Sequence, residues 1–423
     1  MSFRFEWNPY ADQPHNVGPR CQRLKHHVQH AGTYFKLVVS NLRRAVPILS
    51  LYRHYRSHLY QHPVQIKKPF ALSVSPAGSR NEQVIKLLKE TGVESTLVRI
   101  PSWEKEHLES FQGFFKLIKS ENIELTVALL QNRDDVLRPS AWSDFVEAVF
   151  SRFRCFSSFF EVGHAWNRTK WGVWDFEEYL RLACSAQILA EKYKVKLVGP
   201  AVIDFEFHLY PPVLEKIIFD KVSSLLYVDR VGAPEDRQFG WDTPAKLALL
   251  KAVIDGSGQG KHDLWITEVN WPLKGTGKYS PAAGRPNVSE EEQADYLVRY
   301  YIFCIASGLV EKVFWWQLAA PGYGLLDTRG SKWRKRASYY AFQNMVRQLR
   351  QSTFVGRIPH NKFHIFLFQK NEQEVAVCWK KGSPREYIFS KKVHRVLSRD
   401  GLEIKTSNNK IIINESPQYV YFK

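Results

Sequence analysis

Eight short, apolar, β-rich runs limit more than anything else what this chain can fold into. They are Phe70–Ser75, Ser95–Pro101, Ile123–Leu130, Phe159–Asn167, Lys196–Asp204, Leu225–Pro234, Asp263–Pro272 and Lys312–Leu318, each followed by a stretch of helical periodicity. Alternation at this pace predicts repeated βα units, and eight of them between residues 70 and 350 match the ~250 residues that a closed eight-stranded barrel needs. The expected class is therefore α/β, a (β/α)8 TIM barrel. Helix punctuation agrees: Ser79 with Glu82 and Ser289 with Glu292 read as capping boxes, and Asp175 with Glu178 as an acidic cap. Thr243 reads as a cap before Pro244, while Gly92 and Gly256 stand where helices should stop.

The flanks differ from this middle. After Arg350 the pattern changes to alternating strands (KFHIFLFQ, EVAVCWK, EYIFS, KIIIN, QYVYF), which predicts a β-sandwich-like C-terminal domain over 351–423. Residues 1–69 carry 11 Lys and Arg against 2 Asp and Glu, a net of +9, so half of the chain's +18 sits in a short basic arm. Its main helical candidate runs over Thr33–Leu59, interrupted at Pro47. Two readings of the arm stay open: a helix packed on the barrel with its charges solvated, or a basic surface for an anionic membrane or polyanion.

Composition excludes several classes. The five cysteines are scattered, odd in number and without a C-x-x-C pair, so neither a zinc site nor a disulfide framework is read, and a reducing compartment fits. No apolar run of 18 or more occurs, and the first twenty residues lack the apolar core of a secretory signal, which gives the expectation of a cytoplasmic protein, at most peripheral to the inner face of a membrane. Nucleotide-binding loops, zincin helices and serine-hydrolase elbows are missing, and no cofactor or metal is expected. Nucleic-acid binding has only the basic charge in its favour, without a reading motif, so no specific nucleic acid is expected. Thirteen tryptophans suit both a core and a cleft that stacks on sugar rings.

In a βα barrel the chemistry sits at the C-terminal ends of the strands. The residues there are Arg99, His164, Ala165, Asn167, Asp204, Glu268, Trp315, Trp316 and Gln317. Glu268 is the most informative, because it ends an apolar strand where a carboxylate must be paired, hydrogen-bonded or used.

The segments Glu161-Val162-Gly163-His164-Ala165-Trp166-Asn167, Val198-Gly199-Pro200-Ala201, Thr267-Glu268 and Phe314-Trp315-Trp316-Gln317-Leu318 occur in an order that resembles clan A glycoside hydrolases, notably the β-xylosidase and α-L-iduronidase branch. The resemblance covers roughly residues 70–423. It implies a retaining glycosidase acting on an oligosaccharide or polysaccharide, with Glu268 as nucleophile and Arg99 holding that carboxylate. It also implies sugar contacts from Trp166, Asn167, Trp315, Trp316 and Gln317, with one of the two tryptophans facing inward. The fourth strand departs from the pattern. His164 replaces an Asn that contacts the sugar, and Ala165 replaces the acid/base Glu. The His-x-Tyr of the sixth strand is matched only by Gly232-Ala233-Pro234. Retaining hydrolysis needs a second carboxyl group ~5–5.5 Å from the nucleophile, and alanine cannot serve. Glu161, with the same strand parity but deeper, reads as structural. Three functions remain: a glycosidase whose proton comes from His164, Glu206 or Asp204, a silenced barrel that binds a carbohydrate, or an accessory protein of polysaccharide assembly at a membrane surface.

Overall fold

The computed structural model describes residues 5–15, 20–229, 231–258, 260–281, 286–406 and 409–423. Eight parallel strands close into a barrel: β1 (Phe70–Ser73), β2 (Ser95–Pro101), β3 (Glu124–Leu130), β4 (Ser157–Val162), β5 (Lys196–Ile203), β6 (Lys221–Leu225), β7 (Leu264–Val269) and β8 (Val310–Trp315). Each strand pairs with its neighbours in sequence, and closure is made by Val313 of β8 against Phe70 of β1. The (β/α)8 barrel read from the eight runs is therefore the fold. Most runs end earlier than their apolar character suggests, and the sixth shifts most. β6 stops at Leu225, so Gly232-Ala233-Pro234 lies in the loop beyond it.

The barrel encloses a small inner core that includes Leu97, Ala128, Val198, Trp265 and Phe314, while a much larger apolar layer separates strands from helices. Fully buried Trp142, Phe145, Val149 and Phe153 repeat at helical spacing on helix Pro139–Phe153 and form the inward face of that layer. Charged residues close the N-terminal end of the barrel. Lys221 meets Asp263 at 2.6 Å and Glu311 at 2.7 Å, Lys312 pairs with Glu124, and the Trp265 indole donates to Glu311 at 2.6 Å.

Several local expectations change. Ser289 and Glu292 form a capping box and Asp175 caps its helix. Ser79, however, lies inside a 3-10 turn and caps nothing, and Asp242 rather than Thr243 caps helix Thr243–Ser257. Gly256 sits in the last turn of that helix, not beyond it. The reason is packing: a Cβ there would lie 2.8 Å from Ile48, a residue of the arm.

The arm forms α1 (Arg20–Gln29) and α2 (Ala31–His58), and Pro47 is accommodated within α2 without ending it. α2 lies along helix Thr243–Ser257, with Arg44 paired to Glu215 at 3.0 Å and the Tyr55 hydroxyl donating to Asp255 at 2.5 Å. Beyond α2, Val64–Gln65 adds an edge strand to the C-terminal sheet by pairing with Thr353 and Phe354.

That sheet contains β9 (Thr353–Arg357), β10 (His364–Lys370), β11 (Gln373–Trp379), β13 (Val393–Leu397) and β15 (Gln418–Phe422), and it faces a ribbon of β12 (Arg385–Ile388) and β14 (Lys410–Ile413). Residues along β10 alternate as a two-sided strand requires: Phe366 and Phe368 pack toward the barrel core, Ile365 and Leu367 toward the ribbon. The β-sandwich-like C-terminal unit read from the sequence is thus present. All five cysteines are free thiols, and among the described residues no helix is long and apolar enough to cross a membrane.

Candidate active site

A cavity of about 690 Å³ opens at the C-terminal ends of the strands, within the ~300–1,000 Å³ usual for small-molecule sites. Glu268, next to last in β7, lies at its floor and is 7% exposed. Arg99, from β2, donates through Nη2 to Glu268 Oε2, and the Tyr227 hydroxyl donates to Oε1. Both carboxylate oxygens therefore have a donor aimed at them. Burial raises the Tyr227 phenol well above its ordinary range, so it stays protonated and available as a donor. The Arg99 guanidinium also lies 3.2 Å over the Trp316 ring, a cation–π contact that fixes its plane.

His164 enters from the loop after β4. Gly163, at φ +78°, turns the chain there, and a Cβ on it would sit 2.8 Å from Tyr179. The Gln131 side chain then grips the His164 backbone on both sides, accepting from its N–H at 2.8 Å and donating to its carbonyl at 3.0 Å. The imidazole Nε2 lies 3.1 Å from Arg99 Nη2 and 3.5 Å from Glu268 Oε2. Burial, with the Arg99 charge second, pushes its pKa well below the usual histidine range. The ring is neutral at physiological pH. Ala165 follows with φ +42° and lines the cavity.

The structure thus brings Glu268, Arg99, His164 and Trp316 together. It places the other four expected contacts elsewhere. Trp315 is fully buried and stacked on Trp271 behind the barrel wall. The turn at Gly163–Ala165 carries Trp166 outward, where its indole donates to Pro200 O and stacks on Tyr179. Asn167 exchanges hydrogen bonds with the Ile203 backbone and donates to Glu206, tying the β4 loop to β5. Gln317 accepts from Ser75 at 3.1 Å instead of facing the cavity. Asp204 lines the rim and, with Glu206, pairs to Arg168. Glu161 is buried inside the barrel among Thr267, Ser223 and Arg99, and burial raises its carboxyl pKa.

Two participants escaped the sequence reading. Tyr227 lies two residues beyond β6, and locating the strand end at Leu225 brings it to the cavity. The other is the segment Trp7–Pro14, a short antiparallel ribbon that covers the cavity mouth and contributes Ala11, Asp12 and Gln13 to its lining. No motif marks it. Away from the cavity, His26, His30 and Asp175 form the one group of three possible metal ligands among the described residues. His26 Nε2 already hydrogen-bonds Asp175 there at 2.7 Å.

Neither a family model nor a curated protein matches this sequence. Solved structures do match. A family 39 glycoside hydrolase from Bacteroides cellulosilyticus WH2 superimposes with a TM-score of 0.65 at 15% identity, covering 85% of this chain and 81% of the other. The family 51 arabinofuranosidase of Xanthomonas axonopodis pv. citri gives 0.59 at 13% identity, with coverage of 86% and 98%. A family 30 endoxylanase from Clostridium papyrosolvens C71 gives 0.58 at 11%, again covering 86% and 98%. The chain therefore shares its fold, a (β/α)8 barrel with a C-terminal β-unit, with these solved glycoside hydrolases.

Proposed function

We propose that this chain is a glycosidase of the retaining type, with Glu268 as nucleophile, Arg99 and Tyr227 as its hydrogen-bond donors, His164 as a neutral neighbour and Trp316 as the apolar wall of the sugar subsite. One observation carries the reading. A carboxylate at the floor of a strand-end cavity receives a donor on each oxygen, an arrangement that favours the anion a nucleophile must be. The test uses a panel of 2,4-dinitrophenyl xylosides, arabinofuranosides and glucosides, whose leaving groups need little protonation. Wild type should turn over at least one of them, and Glu268→Gln should lose roughly 10⁴-fold or more in kcat/KM. Silence of wild type on the whole panel, with glycan binding retained, would favour the silenced carbohydrate-binding barrel. The alanine at position 165 of the cavity wall is the observation that keeps this second reading in view.

The arm extends the proposal to location. On α2 the exposed residues Phe35, Val38, Leu42, Val46 and Leu49 are 48–79% accessible and recur at three- and four-residue intervals, forming one outward stripe opposite the packed side. Exposed Lys36, Arg43, Arg53 and Arg56 flank and continue it. An apolar stripe edged with cations suits the surface of an anionic bilayer, the inner membrane face in our reading. Co-sedimentation with phosphatidylserine vesicles should fall as salt rises, and Phe35→Glu with Leu42→Glu should abolish it. Binding that ignores both would remove the membrane from this account.

A further inference from the structure

We infer that Asp12, carried into the cavity by the arm, is the proton donor that stands in for the carboxyl group missing at Ala165. The inference rests on the glycosidase reading above and gives that reading its second carboxylate.

The ribbon Trp7–Asn8 with Gln13–Pro14 is anchored on opposite sides of the mouth. Gln13 accepts from Lys170 Nζ at 2.5 Å and donates to Pro281 O at 3.1 Å, while Trp7 packs against Trp103 and Trp171. Within its turn the Asn8 side chain accepts from the N–H groups of Tyr10 and Ala11, and Asp12 adopts φ +51°, a left-handed conformation that aspartate tolerates better than most side chains. Asp12 Oδ2 thereby comes within 3.7 Å of Arg99 Nη1, while Nη2 of the same guanidinium donates to Glu268. One planar cation thus separates the two carboxyl groups.

Asp12 Oδ2 is sealed from bulk solvent and has no hydrogen-bond partner among the described residues, although about a quarter of the side chain (26%) remains accessible. The accessible part of the carboxyl group belongs to the cavity wall, where a bound glycoside can reach it. Of the titratable groups around it, Arg99 and Tyr323 face it most directly, and Glu268, His164, Tyr227 and Lys170 share its cavity. Burial raises the Asp12 pKa, and the Arg99 charge offsets only part of that rise, which is the direction a general acid requires. His164, held neutral, carries no proton that it can readily give up.

In the first half-reaction a Glu268 oxygen bonds to the anomeric carbon and the bond from that carbon to the glycosidic oxygen breaks. The Asp12 proton passes to the departing oxygen, which leaves as an alcohol. In the second, water attacks the anomeric carbon, its proton goes to the Asp12 carboxylate, and Glu268 is released.

The test compares full-length wild type, Asp12→Asn and Asp12→Ala on matched phenyl and 2,4-dinitrophenyl glycosides across pH, with thermal melting as a check on folding. Asp12→Asn should lose roughly 10²–10⁴-fold in kcat on phenyl glycosides, far less in kcat/KM on dinitrophenyl ones, and should lose the basic limb of the pH profile. Azide, which needs no base, should restore dinitrophenyl turnover by Asp12→Ala and give the glycosyl azide. If wild type is active but Asp12→Asn keeps its phenyl-glycoside rate, or loses only in KM with the basic limb intact, the inference falls while the glycosidase reading stands. If wild type cleaves nothing, both fall together.

Discussion

The two ends of the barrel treat charge in opposite ways. At the N-terminal end Lys221 is shared by Asp263 and Glu311, and Lys312 is matched with Glu124, with the acidic partners partly in solvent. At the C-terminal end the cavity's buried cation, Arg99, serves Glu268 and Asp12 and also lies near Glu161. One oxygen each of Asp12 and Glu161 goes without a hydrogen-bond partner among the described residues. The first arrangement is electrostatically saturated and can do little but stabilise. The second has acceptors in excess, and buried groups without partners are costly unless something else uses them. The contrast teaches where to look for chemistry: not where charges are most numerous, but where their pairing is incomplete.

Three substitutions break or sharpen this contrast. The largest effect is expected at the top. Tyr227→Phe removes one of the two donors to Glu268 and should reduce kcat/KM on dinitrophenyl glycosides by roughly 10²-fold with little change in melting temperature. A change under threefold would mean that the donor does not matter to the reaction.

Next comes the pH dependence of stability. His164 has a folded pKa depressed below its unfolded value, so its contribution to stability is fully present above about pH 6.5 and is lost as pH falls toward the folded value. The stability advantage of wild type over His164→Gln should therefore shrink by up to ~1.4 kcal/mol for each pH unit below that point. Chemical denaturation of both proteins at pH 7.5 and pH 5 measures it, and an unchanged difference would show that the imidazole is not held neutral.

The smallest effect belongs to the bottom. Lys221→Met should cost about 1 kcal/mol or less, because its acidic partners are substantially solvated, and should leave activity unaltered. A loss of activity there would erase the distinction between the two ends.

Much of the architecture was legible in the sequence because strand-rich runs and helix caps are local signals. Ser289 with Glu292 marks its helix start unaided, and eight βα repeats leave few alternatives to a closed barrel. Glu268 and Arg99 stand out for a related reason, since each is a charge at the end of an apolar strand. The failures were of two physical kinds. Trp166 and Asn167 are expected at the site from the motif resemblance, but left-handed backbone at Gly163 and Ala165 turns the chain away from the cavity just where the loop begins, and of the two neighbouring tryptophans Trp316 lines the cavity while Trp315 does not. Asp12 was invisible because it reaches the cavity only through long-range packing of the arm, and nothing in MSFRFEWNPYADQPHN foretells that docking.

The pairing of Val64–Gln65 with Thr353 and Phe354 bears on how the molecule is made. These strands are separated by 289 residues, so at a translation rate of ~5–20 residues per second the earlier one waits roughly 15–60 s on the ribosome before its partner exists. Throughout that interval the outward stripe of α2 and the bare edge at Val64 are both offered to whatever lies near the nascent chain. The biosynthetic order therefore leaves the arm's far end unsecured until the last domain has been made.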